Sequence, residues 1–291
     1  MTAATLASRF NLDQRLVKAW PLLLGFLIMS VPTVIRLGEQ IWSRESGAHG
    51  PIILGTGIWL LWRNLAGMDR PATGGAPWLT ILLLVPSLAI YIFGGAYDFI
   101  SLEVAGLYGA GIAVLHSLMG VRTLLRIWFP VLYLGFCVPP PMWILDTITA
   151  PLKEFVSYAA TSLLELFDLP INREGVTIFV GQYQLLVEDA CSGMNSLVGL
   201  VAISLLYIYL LRGSRPAQAM ILTAFVIPIA VAANILRIIT LILLTHFYGD
   251  AVAQGFLHFT AGIFLFGVAL ILVFATERLI SAVMDRPRAA K

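Results

Sequence analysis

Apolar runs of helix length recur along this chain from Trp20 to Phe274, separated mostly by short polar loops. About twenty apolar residues in a helix match the roughly 30 Å of hydrocarbon in a bilayer. In that medium every backbone N–H and C=O must be bonded within the protein, and a helix does this inside one segment. The pattern therefore points to an all-α polytopic membrane protein. Charged residues make up only 12% of the chain, about half the share of a soluble domain. No basic block with interleaved aromatics suggests nucleic acid, and two cysteines cannot form a disulfide framework. The first run has basic residues before it and no small-x-small site after it, so it is expected to be an uncleaved signal anchor.

Eight transmembrane helices are expected, at residues 20–37, 52–62, 78–93, 100–119, 124–138, 192–211, within 217–245, and at 256–274. Pro139-Pro140-Pro141 cannot continue a regular helix and closes the fifth. Residues 146–189 differ. Lys153, Glu154 and Glu165 interrupt the apolar spacing of 147–167, which fits an interfacial helix. Residues 175–187 hold two β-prone runs around Gly181-Gln182, the pattern of a small β-hairpin. We expect one integral membrane domain over 1–291, with its core at about 20–280 and an extracytoplasmic segment at 146–190.

Orientation follows from the basic residues, which concentrate in cytoplasmic loops. With the N-terminus inside and eight alternating spans, 13 of the 18 Lys and Arg residues fall on the cytoplasmic side. Four fall outside: Arg36, Arg44, Lys153 and Arg173. Both termini are then cytoplasmic and the protein belongs in the cytoplasmic (inner) membrane. The outer segment 146–189 carries seven acids against two bases.

This topology brings three reactive side chains to the outer leaflet. Cys191 lies where the polar segment turns into the sixth span, at a helix N-terminus whose partial positive charge favours a thiolate. Arg237 lies in the outer half of the seventh span, and a charge there costs about 2.5–3.5 kcal/mol even on permissive insertion scales. His258 lies in the first turn of the eighth. Asn234, one turn before Arg237, shares its face, and His49 is also outside. Each has a plainer reading: a packing cysteine, an interface histidine, an arginine paired with Glu188 or Asp189, and a His49 that only caps the second span. Cys137 lies inside an apolar run, and His116 and His246 have no evident partner. As chemistry the set is coherent. A Cys191 thiolate attacks a carbonyl, His258 carries the proton to the leaving amine, and Arg237 stabilises the oxyanion. No metal or cofactor is required. The competing class is a transporter or channel with an Arg/His anion site, which leaves Cys191 idle.

At these residues the chain resembles the exosortase/archaeosortase family. Its cysteine motif is similar to Asp189-Ala190-Cys191-Ser192-Gly193, its Asn-x-x-Arg motif to Asn234-Ile235-Leu236-Arg237, and its histidine motif to His258-Phe259-Thr260-Ala261-Gly262. His49-Gly50 through Leu61-Trp62-Arg63 and the Val138–Pro141 region match as well. The resemblance covers about residues 48 to 275. It departs at Glu188-Asp189, where many members carry Glu-Ala or Glu-Gly, and at Asn195, where a basic residue is frequent. The resemblance implies a membrane cysteine protease or transpeptidase acting on exported proteins with C-terminal PEP-CTERM-like sorting tails, anchored in the lipid bilayer. It implies hydrolysis or transfer to an acceptor such as a polysaccharide or lipid, and a link to exopolysaccharide export.

Overall fold

A computed structural model describes residues 19–43, 47, 49–68, 74–167, 169–186, 195–211, 216–249, 251–253 and 261–284. Packing divides the chain between Pro141 and Met142 into two compact units. Among the described residues, four helical segments are long and apolar enough to cross a membrane: Trp20–Trp42, Pro77–Ala96, Ile100–Arg126 and Ile221–Tyr248. Trp128–Cys137 and Val201–Leu210 are shorter apolar helices. The chain is a mostly helical, polytopic membrane protein.

In the first unit, α1 (Trp20–Leu37) runs on through a π-helical turn at Gly38–Trp42. Then come α2 (Gly50–Ala66), α3 (Pro77–Ala96), α4 (Ile100–Arg126) and α5 (Trp128–Leu134), followed by a 3-10 turn at Gly135–Cys137. Helices α2 and α3 both open with proline in the first turn, where its missing N–H costs nothing. α3 and α4 lie against each other through glycine. A Cβ on Gly94 would overlap the backbone of Glu103, and one on Gly106 the backbone of Tyr91. Gly94→Ala is therefore expected to destabilise by about 1–3 kcal/mol, the usual cost of overpacking. Gly95→Ala meets nothing within 4 Å and should be neutral or mildly stabilising. Thermal unfolding in detergent checks this; equal midpoints would contradict the close approach.

Beside this contact sits a buried acid. Glu103, 3% exposed, accepts a bond from Thr33 Oγ1 at 2.7 Å and pairs with Arg36 of α1. Arg36 also pairs with Asp98 in the α3–α4 connection. A carboxylate among apolar helices needs such a partner, because an isolated buried charge costs several kcal/mol.

In the second unit, α6 (Met142–Glu165) leads into three short strands, β1 (Ile171–Glu174), β2 (Thr177–Val180) and β3 (Tyr183–Leu186). Then follow α7 (Asn195–Leu211), α8 (Pro216–Tyr248) and α9 (Ala261–Met284). The strands form an antiparallel sheet in the order β1-β2-β3. Its two-residue turns begin at Gly175 and Gly181, with φ of +62° and +58°, the left-handed backbone that tight hairpins demand. One sheet face is buried: Ile178, Val180 and Leu185 pack with Val156, Ala160 and Leu164 of α6 and with Ile238, Leu241 and Ile242 of α8. The other half of α8 belongs to a second core. There Leu222, Val226, Ile229, Ala230 and Ala233 meet Ile208 of α7 and Ala269 and Val273 of α9.

Several elements differ from the sequence reading; α2 among them runs to Ala66, four residues beyond the expected end of the second span. The strands make a three-stranded sheet, not a two-stranded hairpin; β1 is an edge strand whose Asn172-Arg173-Glu174 is too polar to show a β pattern. The interfacial helix starts at Met142, not residue 147, and continues through Pro151. The fifth apolar run divides, because residues 124–126 complete α4 past the non-helical Gly120 and α5 starts only at Trp128. The last helix runs ten residues beyond 274, to Met284, since Glu277 and Arg278 limit an apolar run but not a helix.

Candidate active site

Two of the sequence-predicted site residues, Asn234 and Arg237, lie on α8. Arg237 is 0% exposed and is the largest fully buried side chain among the described residues. Asn234, 2% exposed, lies one turn earlier on the same face. Arg237 falls between the two cores of α8: Ala233 packs with α7 and α9, and Ile238 with the sheet and α6. A guanidinium does not shed its proton in proteins, so this buried group keeps its charge. Such a group can stabilise negative charge, most strongly in a low-dielectric place.

The neighbouring helices α7 and α9 both pack on α8: Ile208 of α7 and Ala269 and Val273 of α9 share one core with Leu222, Val226, Ile229, Ala230 and Ala233, the last of these one turn before Arg237.

Cys191, His258, Glu188 and Asp189 lie outside the described residues. In sequence, Cys191 precedes Asn195 by four positions and follows the end of β3 by five, and His258 precedes Ala261 by three. His49 belongs to the first unit. It is half-buried at the N-cap position of α2, and burial pushes its imidazole below its ordinary value, toward the neutral, proton-accepting form. Behind it, a Cβ on Gly50 would overlap the Trp42 indole, which holds the turn in place.

The remaining candidates resolve into structural roles. Cys137 is a half-buried free thiol in the 3-10 turn after α5. His116, without an evident partner in the sequence, is 2% exposed with Nδ1 2.9 Å from the Thr80 hydroxyl. His246 is exposed in the last turn of α8 and stacks edge-on against Phe247 at 4.8 Å. Sequence reasoning missed the Arg36–Glu103 pair. Its signal was present: an acid four residues into one apolar run and a base near the end of another are unstable in hydrocarbon unless they meet. Among the described residues no three His, Cys, Asp or Glu side chains come together as metal ligands would.

No curated protein and no solved structure matches this chain. The family model described as Transmembrane exosortase (Exosortase_EpsH) matches residues 41–275, a span that includes His49, Cys191, Asn234, Arg237 and His258. With the match covering most of its length, the chain belongs to the transmembrane exosortase family.

Proposed function

We propose that this protein is a membrane-embedded cysteine peptidase or transpeptidase that removes C-terminal PEP-CTERM-like sorting tails from exported proteins. One observation carries the reading. Arg237 is fully buried on α8, beside the core that α8 shares with α7 and α9, within a family match over residues 41–275. In sequence, Cys191 precedes the start of α7 by four residues and His258 that of α9 by three.

In the proposed reaction the Cys191 thiolate attacks the carbonyl carbon of the scissile peptide bond. The oxyanion forms within reach of the Arg237 guanidinium, with Asn234 helping to orient it. Collapse breaks the C–N bond, and His258 delivers a proton to the departing amine. The new C-terminus is left as a thioester on Cys191. Water, or a nucleophile on a polysaccharide or lipid acceptor, then attacks the thioester and frees the thiol. The link to exopolysaccharide export belongs to the same reading.

Eight crossings are part of this proposal, with both termini in the cytoplasm and residues 146–190 outside. The basic residues support it, through the 13 of 18 that this topology places inside. Single cysteines placed at Gln182 and at Gly213 should react with an impermeant maleimide from opposite sides of the membrane. Labelling from one side contradicts the topology. The function is read with an exported reporter protein carrying such a tail. It should lose the tail in membranes containing the full-length protein and keep it in membranes without it.

A further inference from the structure

The two edges of the sheet are finished differently. In an antiparallel ladder the pair that closes a two-residue turn exchanges both hydrogen bonds, and bonded pairs then alternate along the strands. Glu174↔Thr177 and Val180↔Tyr183 close the two turns. On β1, Ile171 and Arg173 therefore turn their backbone groups away from β2. Both N–H groups are already taken: Ile171 donates to Leu169 O at 2.8 Å, and Arg173 to Asn172 Oδ1 at 2.9 Å. On β3 the outward residues are Gln184 and Leu186. Among the described residues their N–H groups meet no backbone acceptor, and β3 is the last strand of the sheet.

This edge, unpaired among the described residues, precedes the nucleophile in sequence. β3 ends five residues before Cys191. It also lies at the outer end of α8, where a Cβ on Gly249 would stand 3.6 Å from Tyr183 Oη. Its inner face is fixed in the core that contains Ile238, the neighbour of Arg237. Two N–H and C=O pairs about 6.8 Å apart are complemented by the backbone of another extended chain, which repeats its own groups at that spacing. Five residues of chain reach at most about 17 Å, for the enzyme from Leu186 to Cys191 and for a paired peptide beyond the strand alike.

We infer that the extended segment of the substrate adds to β3 as a fourth strand, with Gln184 and Leu186 pairing its backbone and delivering the scissile carbonyl to Cys191. This rests on the peptidase reading above and adds how the substrate is held. Strand addition takes affinity from the main chain and leaves side chains for selectivity.

The test uses the full-length enzyme in membranes. The probe is a synthetic peptide spanning the cleavage site of a tail-bearing substrate that forms the Cys191 adduct, N-methylated at one backbone position at a time. Strand addition predicts a period of two. Methylation at alternate residues lowers kcat/KM at least tenfold, and at the residues between them less than twofold. In the enzyme, Gln184→Pro removes the outward N–H and should lower kcat/KM at least tenfold, mainly through KM. The peptide series stands even if the proline variant fails to fold. Cys191-dependent processing with no alternation overturns strand addition alone, including when the edge is covered by a second copy of this chain. A peptide that never acylates Cys191 overturns the peptidase reading, and strand addition with it.

Discussion

Cys191→Ala is expected to abolish tail removal, and Cys137→Ala to leave it at the parent rate. The two cysteines are chemically alike and differ in place. Cys137 sits half-buried in a 3-10 turn that follows α5. Cys191 stands in sequence four residues ahead of Asn195, the first residue of α7 that the structure describes, and the proposed function makes it the nucleophile. Removing a covalent nucleophile leaves only the residual acceleration of binding and charge stabilisation, on the order of 10³–10⁴ over water in the best-studied triads. On the time scale of a membrane assay that residue of activity reads as none. Tail removal that survives in Cys191→Ala removes the nucleophile. Loss in Cys137→Ala shows that the first unit contributes more than a scaffold.

The second large effect is at Arg237. Arg237→Lys is expected to lower the processing rate about a hundredfold while the protein still inserts and folds, because an oxyanion donor is worth about 2.7–4 kcal/mol of transition-state stabilisation. Charge is nominally conserved in this change, but geometry is not. The guanidinium is planar and presents fixed donors, whereas a buried ammonium is a point charge that loses its proton more readily. Arg237 is 0% exposed, so little water is at hand to replace the missing donors. Arg212→Lys, a change in the connection between α7 and α8, should be nearly silent. His258→Ala should be at least as damaging as Arg237→Lys, since the leaving amine needs its proton. If Arg237→Lys processes tails at the parent rate, Arg237 is a structural charge and the site reduces to a cysteine and a histidine.

What could be read without coordinates follows the physics of each signal. Hydrophobic periodicity reports the bilayer, so the first helix emerges with its observed bounds at Trp20–Leu37. It does not report helix ends in water, and so α9 continues past Glu277 to Met284. Turn chemistry is local, and Gly181-Gln182 marked the β2–β3 connection correctly. Strand β1 was hidden because its pattern is set by pairing with β2 rather than by its own side chains. In the site, Arg237 stood out because a charge in an apolar run is costly. Its position between two cores was not visible, because it depends on which residues of α6, α7 and α9 meet α8. Glu103 was overlooked for the converse reason: its partners Arg36 and Thr33 are about seventy positions away in sequence.

The account turns on a covalent intermediate, and that intermediate can be caught. Membranes containing the full-length protein, incubated with a tail-bearing substrate and quenched in acid, should yield a substrate fragment joined to Cys191. The bond should break in neutral hydroxylamine, as a thioester does, and the adduct should be absent from Cys191→Ala. A substrate cleaved at full rate with no adduct, or an adduct on another residue, contradicts the account.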